Sequence, residues 1–177
     1  YVAKASGRNA WVGFHPGIVD AVLTTLERGV KKSGRRLEDL EIIWAVRTGL
    51  AATTAEARRQ ARPTVVHQGI MRAHSRWIDY TGLRIPTFEI PPAVGKIYPD
   101  LSHAHDWEEA IAVTSFVPDE VIAQLCDAMG LVGTPEDCAR RIVEMTRSGV
   151  QNLYIMALET FVGPERELRA FRDEIFP

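Results

Sequence analysis

The fold is decided by residues 133–158, which read GTPEDCARRIVEMTRSGVQNLYIMAL. Thr134 is a favourable helix N-cap, Pro135 suits the first helical position, and two acidic residues follow in the first turn. A Ser-Gly pair ends this helix, and its buried stripe is predicted to be Cys138, Ile142 and Met145. The uncharged run 153–158 then predicts a strand buried in a parallel sheet.

The same alternation of strands and helices extends toward the start of the chain. Strand-like runs are predicted at Tyr1–Ala5, Ala10–Phe14 and Leu40–Val46. Helices are predicted at Pro16–Lys32, from the cap Thr53 to about Ala61 with a break near Pro63, at Thr64–Tyr80, at Pro118–Met129, and at Pro164–Ile175 with Leu168, Phe171 and Ile175 facing inward. Strand, helix, strand, helix in this order indicates right-handed parallel βαβ units.

One segment interrupts the pattern. Residues 81–117 contain four prolines and two early glycines, and only a short helix capped by Asp106 is predicted within them. Long irregular excursions in compact domains are often functional. We therefore expect residues 1–177 to form a single domain with an irregular insertion at 81–117.

Composition excludes several classes of protein. The formal net charge is −2, so no basic excess points to nucleic acid or to an anionic membrane surface. Apolar runs are too short to span a bilayer, and the two cysteines do not form a disulfide framework. We expect a cytoplasmic protein that acts on a small molecule, without nucleic-acid or membrane partners. Because the chain opens at Tyr1 inside an apolar run, we also expect it to be the C-terminal portion of a longer protein.

Candidate binding residues lie where predicted strands end. The Ser6-Gly7 pair lets a phosphate approach the backbone, and the helix start at Thr134 offers free N–H groups to an anion. Arg141, or its neighbour Arg140, could add a bidentate partner. Ordinary turn formation and helix capping explain Ser6-Gly7 and Thr134 better from the sequence alone, and surface charge is the alternative for the two arginines.

The histidines suggest other chemistry. His15 follows a strand end and is the best-placed acid or base, although a turn role before Pro16 explains it too. The segment His103-Ala104-His105-Asp106 resembles a metal cluster, but no second ligand pair supports it and Asp106 serves as a helix cap. We expect no metal. No nucleophile elbow, dinucleotide-binding motif or P-loop occurs.

Three segments together resemble the luciferase-like monooxygenase superfamily. They are Gly34–Ile42 after an amphipathic helix, Thr54–Arg58 after the next strand, and Gly133–Asp137 with its helix and the link Ser148–Leu153. The segments occur in family order at plausible separations. The resemblance covers most of the chain except the stretch 81–117.

This resemblance implies an α/β fold, the C-terminal part of a (β/α)8 TIM barrel with a helical and loop insertion. It implies hydride transfer between coenzyme F-420, a deazaflavin, and an organic substrate. An FMN-dependent monooxygenase and a non-catalytic relative are the alternatives. The implied cofactor-binding residues are Ala5, Ser6, Gly7, Thr134 and Arg141, and a homodimer is expected. Only Arg8 and Asn9 separate Gly7 from Ala10, which leaves no room for the helix that the family has there.

Overall fold

The computed structural model describes residues 15–71, 78–159 and 161–176. Its centre is a parallel sheet of three strands, β1 (Ile43–Leu50), β2 (Leu131–Gly133) and β3 (Asn152–Ala157), in the order β2-β1-β3. β1 pairs with β3 from Ile43↔Asn152 to Thr48↔Ala157 and with β2 from Thr48↔Leu131 to Leu50↔Gly133. The sequence-based expectation that 153–158 is a parallel strand is confirmed over residues 152–157.

Three helices cover one face of this sheet. They are α1 (Pro16–Lys32), α5 (Pro135–Arg147) and α6 (Glu165–Ala170), the last continuing as a π-helical turn, Phe171–Ile175. The strand residues that meet them, Trp44, Val46 and Leu50, are buried in one apolar cluster together with Val19, Leu131, Cys138, Ile142, Met145, Val150, Ala170 and Ile175. The predicted buried stripe of α5 is therefore confirmed.

A long excursion separates β1 from β2. It holds α2 (Thr54–Val66), a π-helical turn at His67–Met71, 3-10 turns at Ile78–Thr81 and Pro92–Lys96, α3 (Trp107–Val113) and α4 (Asp119–Met129). The excursion has its own apolar cluster, in which Ala61, Val66, Leu101, Trp107 and Leu125 are buried. Strand β2 brings the chain back beside the point where it left β1.

Helices α2, α3 and α4 are joined by a buried cation. The Arg62 guanidinium donates to the carbonyl oxygens of Thr114, at 3.2 Å, and Val117, at 2.6 Å, and it pairs with the Asp119 carboxylate. Arg62 is 9% exposed. One side chain thus bonds the carbonyl oxygens that follow α3 and the carboxylate of the first residue of α4.

The two ends of the excursion are held together by Asp137. Its carboxylate accepts from the Thr54 hydroxyl at 2.6 Å and from the Thr134 N–H at 3.2 Å, and Arg140 pairs with it. Thr134 returns a capping bond by accepting from the Asp137 N–H at 3.2 Å. One carboxylate thus ties the first residue of α2 to the cap of α5.

Several expectations about element boundaries are wrong. The strand predicted at Leu40–Val46 lies at 43–50, and Leu40 is instead the C-cap of the 3-10 turn Leu37–Asp39. Helix α2 does not break at Pro63 but continues to Val66, since its buried face packs in the excursion's core. The sequence pattern also missed β2, which has only three residues.

One inward-facing residue was also assigned wrongly. Leu168 is 62% exposed, whereas Ile175 is buried and Phe171 is partly buried. Ala170 and Glu167 occupy the buried face of α6 instead. The predicted runs Tyr1–Ala5 and Ala10–Phe14 lie outside the described residues. Within the part of the chain that the structure describes, no helix is long and apolar enough to cross a membrane.

Asp137→Asn should lower the free energy of unfolding by about 1–2 kcal/mol near pH 7, the usual loss for a helix cap. The hydrogen bond from Thr54, followed by that from the Thr134 N–H, lowers the pKa of Asp137 to about 2. Because this pKa lies below the ordinary value, the carboxylate stabilises the fold above about pH 4, and the contribution disappears as pH falls toward 2.

Urea unfolding of wild type and Asp137→Asn between pH 7 and pH 2.5 measures how this stabilisation depends on pH. The difference between wild type and variant should shrink on acidification. Asp20→Asn, on the exposed side of α1, is the matched control and should leave the urea midpoint unchanged. A difference that stays constant with pH would contradict the assigned role of the carboxylate.

Candidate functional site

The second face of the sheet carries a partly buried cation, Arg47. Because side chains alternate along a strand, Arg47 points away from the helices that cover Trp44 and Val46. Its guanidinium donates to the Ala157 carbonyl oxygen at 2.7 Å, across the β1–β3 pair. Burial lowers the pKa of Arg47, and the negative charge of Asp100 opposes that effect. Arg47 therefore links the sheet electrostatically to the excursion.

Asp100 is the centre of a polar cluster. Its carboxylate accepts from the backbone N–H of Ser102 at 2.7 Å and of His103 at 3.1 Å, and it contacts His103 Nδ1 at 2.9 and 3.0 Å. Burial raises the pKa of Asp100, but the bonds from His103 and Ser102 and the charges of His67 and His103 outweigh it, so the net pKa is lowered. Arg47, His67, Asp100 and His103 are called the Asp100 cluster below.

A row of three rings lies nearby on the chain. Tyr98 and His105 meet edge to face with centroids 5.2 Å apart, and His105 meets Phe161 in the same way at 4.7 Å. Tyr98 is 72% exposed and Phe161 is 64% exposed. Because Phe161 follows β3, this ring row joins the excursion to the loop at the carboxyl end of the sheet.

A cleft opens at the same carboxyl edge. Its volume is about 770 Å³, and its floor is made by Leu50, Ala51 and Ala52 after β1, with the start of α5 on one side and the loop after β3 with α6 on the other. Arg166 and Arg169 line it beside Glu165 and Glu174. The cleft and the ring row thus lie on the side of a parallel sheet where α/β barrels place their active sites.

Comparison with known proteins identifies the family. The model of the family described as luciferase-like monooxygenase matches residues 3–152. The chain belongs to the luciferase-like monooxygenase family. No protein of curated function matches the sequence.

A solved structure shows the fold of this luciferase-like chain. The structure of coenzyme F-420 dependent tetrahydromethanopterin reductase from Methanopyrus kandleri is similar, with a TM-score of 0.65 at 18% identity over 94% of the chain. The chain spans 43% of the length of that reductase. The fold is thus that of the C-terminal part of a luciferase-like TIM barrel, as expected from the sequence.

The structure of the luciferase-like chain places two of the five predicted cofactor contacts. Thr134 caps α5. Two N–H groups of the first turn are not offered to an anion, because Pro135 has none and that of Asp137 donates to Thr134 in the capping box. Arg141 donates to the Glu144 carboxylate at 3.0 Å and to the Asp127 carbonyl oxygen at 2.5 Å. Thr134 and Arg141 therefore bind different groups of the protein. Ala5, Ser6 and Gly7 lie outside the described residues.

Arg141 belongs instead to a small groove between α2, α4 and α5. The groove holds about 280 Å³ and is lined by three arginines and three acids. Each arginine has a carboxylate partner, and the pairs are Arg58–Asp127, Arg140–Asp137 and Arg141–Glu144. The opposite charges are balanced, so the groove has no excess positive charge to attract an anion.

The histidine segment does not converge on one point. His103 contacts Asp100, His105 lies between two rings, and Asp106 caps α3 by accepting from the Glu109 N–H at 2.9 Å. Among the described residues, no group of three or more His, Cys, Asp or Glu side chains could hold a metal ion. His15 caps α1 by accepting from the Gly17 N–H at 3.2 Å, as the turn interpretation predicted.

The sequence placed Arg47-Thr48-Gly49 at the end of a predicted strand, where α/β barrels put their active sites, but gave Arg47 no role. Sequence reasoning missed Asp100. Asp100 had a usable signal, because an Asp two residues before Ser102 is typical of an Asx turn. That turn lies inside the stretch 81–117 that the sequence marked as functional.

Arg47→Met should lower the free energy of unfolding by about 1.5–3 kcal/mol, the usual range for a lost hydrogen bond to a charged group. The change also leaves Asp100 without its nearest strand cation. Chemical denaturation of the full-length protein measures the loss. Arg172→Met, which removes an exposed arginine next to Asp173, is the control and should not move the midpoint. Equal midpoints for both variants would show that Arg47 does not brace the sheet.

Proposed function

We propose that the protein is an oxidoreductase that transfers a hydride between coenzyme F-420 and an organic substrate. The family match over residues 3–152 carries this proposal, because it covers most of the chain. The similar structure from Methanopyrus kandleri supports the choice of F-420, since that protein is described as coenzyme F-420 dependent. The deazaflavin would supply the hydride chemistry, and the protein would supply binding and orientation.

The residues at the carboxyl edge fit such a cofactor. A cleft of about 770 Å³ is of the size that holds cofactors and drug-sized ligands. The exposed edges of Tyr98 and Phe161 offer a planar ring system an apolar and aromatic neighbour. Arg166 and Arg169 line the cleft, where they could donate to an anionic group in exchange for their present carboxylate partners, Glu167 and Glu165. Ala5, Ser6, Gly7, Thr134 and Arg141 remain predicted cofactor contacts.

The chain's own residues would orient the reactants and exclude water. The excursion leaves and rejoins the sheet at the carboxyl edge, and it has an apolar, buried core of its own. The bond from Arg47 to Ala157 fixes β3, whose next residues form the loop that carries Phe161. Asp100 holds His103 in one orientation. These contacts would keep the substrate side of the site in a constant geometry.

An FMN-dependent monooxygenase is the second candidate. The family description itself names monooxygenases, and the cleft does not distinguish a flavin from a deazaflavin. A non-catalytic relative would share the fold without the cofactor, because fold alone does not fix function. We also propose that the protein is a homodimer and that it is cytoplasmic, the latter because Cys126 and Cys138 are free and buried.

Cofactor titration of the full-length protein tests these candidates. Quenching of cofactor fluorescence should show saturable binding of F-420, with FMN binding more weakly. Tighter binding of FMN would favour the monooxygenase, and no binding of either compound would favour the non-catalytic relative. A protein of unrelated fold is the control for non-specific quenching.

Two variants then locate the residues that bind the phosphate group of the cofactor. Gly7→Trp should abolish binding by filling the predicted backbone approach. If Arg141 contacts the phosphate, Arg141→Ala should weaken binding by about 10- to 150-fold, which corresponds to a charged hydrogen bond. Arg147→Ala, at the exposed end of α5, is the matched control. An unchanged Kd for Arg141→Ala with a raised Kd for Arg166→Ala would place the phosphate in the cleft.

A further inference from the structure

The Asp100 cluster contains a paired acid and imidazole with one ring nitrogen left open. His103 Nδ1 lies 2.9 and 3.0 Å from the two Asp100 oxygens. No hydrogen bond joins His103 Nε2 to any residue that the structure describes. The His103 side chain is 41% exposed, and that of Asp100 is 38% exposed. A carboxylate that holds Nδ1–H leaves Nε2 as the exchangeable position.

The surroundings of the pair point toward the proposed site. Asp100 interacts with Arg47 from the inner face of β1 and with His67 from the end of α2. The ring row begins two residues before Asp100 and ends at Phe161, beyond β3. The pair therefore belongs to the part of the excursion that interacts with β1 through Arg47 and that reaches the loop after β3 through the ring row.

Simple loop bracing does not account for this arrangement. The Asp100 carboxylate already fixes the turn by accepting from the backbone N–H groups of Ser102 and His103. An imidazole is not needed to complete that turn. A buried anchor would also be shielded from solvent, whereas the His103 side chain is 41% exposed.

We propose that His103, positioned by Asp100, is the proton-transfer residue of this site, acting on a substrate with a polar C=O or C=N bond. This rests on the proposed function, which supplies the hydride donor. As a hydride, with its two electrons, adds to the carbon, the π-electron pair of the double bond moves to the oxygen or nitrogen. The proton of His103 Nε2 joins that atom. The imidazole is left neutral, with Nδ1–H still donated to Asp100. The reverse reaction returns the proton.

The first test measures the reactivity of His103 without any turnover. Diethyl pyrocarbonate is added to the full-length protein between pH 5 and pH 8, and modification of each histidine is followed by peptide mass spectrometry. His103 should react faster than His15, whose Nδ1 caps α1. Asp100→Asn, which keeps the acceptor for the turn but removes the charge, should slow His103 on the order of threefold and leave His15 unchanged.

Cofactor protection distinguishes this inference from the proposed function. If wild type binds F-420 or FMN, the bound cofactor should protect His103 and not His15. Binding without protection would place His103 away from the site and overturn the inference alone. Absence of any binding would overturn the proposed function. Equal reactivity of His103 in wild type and Asp100→Asn would overturn the pairing.

His103→Asn separates proton transfer from bracing, because the Asn amide can still donate to Asp100 but carries no exchangeable ring nitrogen. The probe is the aldehyde, ketone or cyclic imine that wild type reduces fastest in a panel. Its reduction should slow at least about 100-fold, with the cofactor Kd and the melting temperature unchanged. Equal rates would overturn the proposal. If wild type reduces no member of the panel, the labelling experiment alone decides.

Discussion

The structure depends on the carboxylate of Asp137. It contacts both the start of the excursion, through Thr54, and its end, through Thr134. Gly133 has to lack a side chain for this, because a Cβ there would lie 2.8 Å from the Asp137 carboxylate. The Ala51 N–H also donates to the Gly133 carbonyl oxygen at 3.2 Å. The point where the chain leaves β1 and the point where it leaves β2 are therefore fixed to each other, at the edge where ligands of parallel sheets bind.

The two faces of β1 have separate tasks that follow from the alternation of a strand. Trp44, Val46 and Leu50 fill the core against the helices. Arg47 points to the opposite face, where it is partly buried, and withdrawing a guanidinium from water is costly unless it is bonded and near negative charge. The Ala157 carbonyl oxygen and Asp100 meet that requirement. This interaction couples the Asp100 turn to the sheet.

Much of the fold could be predicted from local signals. The caps at Thr53, Asp106 and Thr134 mark helix starts that the structure confirms, because a side-chain oxygen bonding to its own turn is a local event. Strand β2 could not be found, since three residues carry no period and form only by pairing with β1. The site was predicted less well. Arg47 and Asp100 lie 53 positions apart in the sequence, and only tertiary packing brings their charges together.

Residues 51–130 form a segment whose two ends meet, since Leu50 pairs with Gly133. For such a segment the closure entropy depends only weakly on length, with about 0.6 kcal/mol for each doubling. The segment also has its own core, so it contributes to its own stability. Replacement or lengthening of this cover would leave the register of the strands intact. Relatives built on the same sheet can thus diverge in what they admit to the carboxyl edge while the barrel wall beneath stays the same.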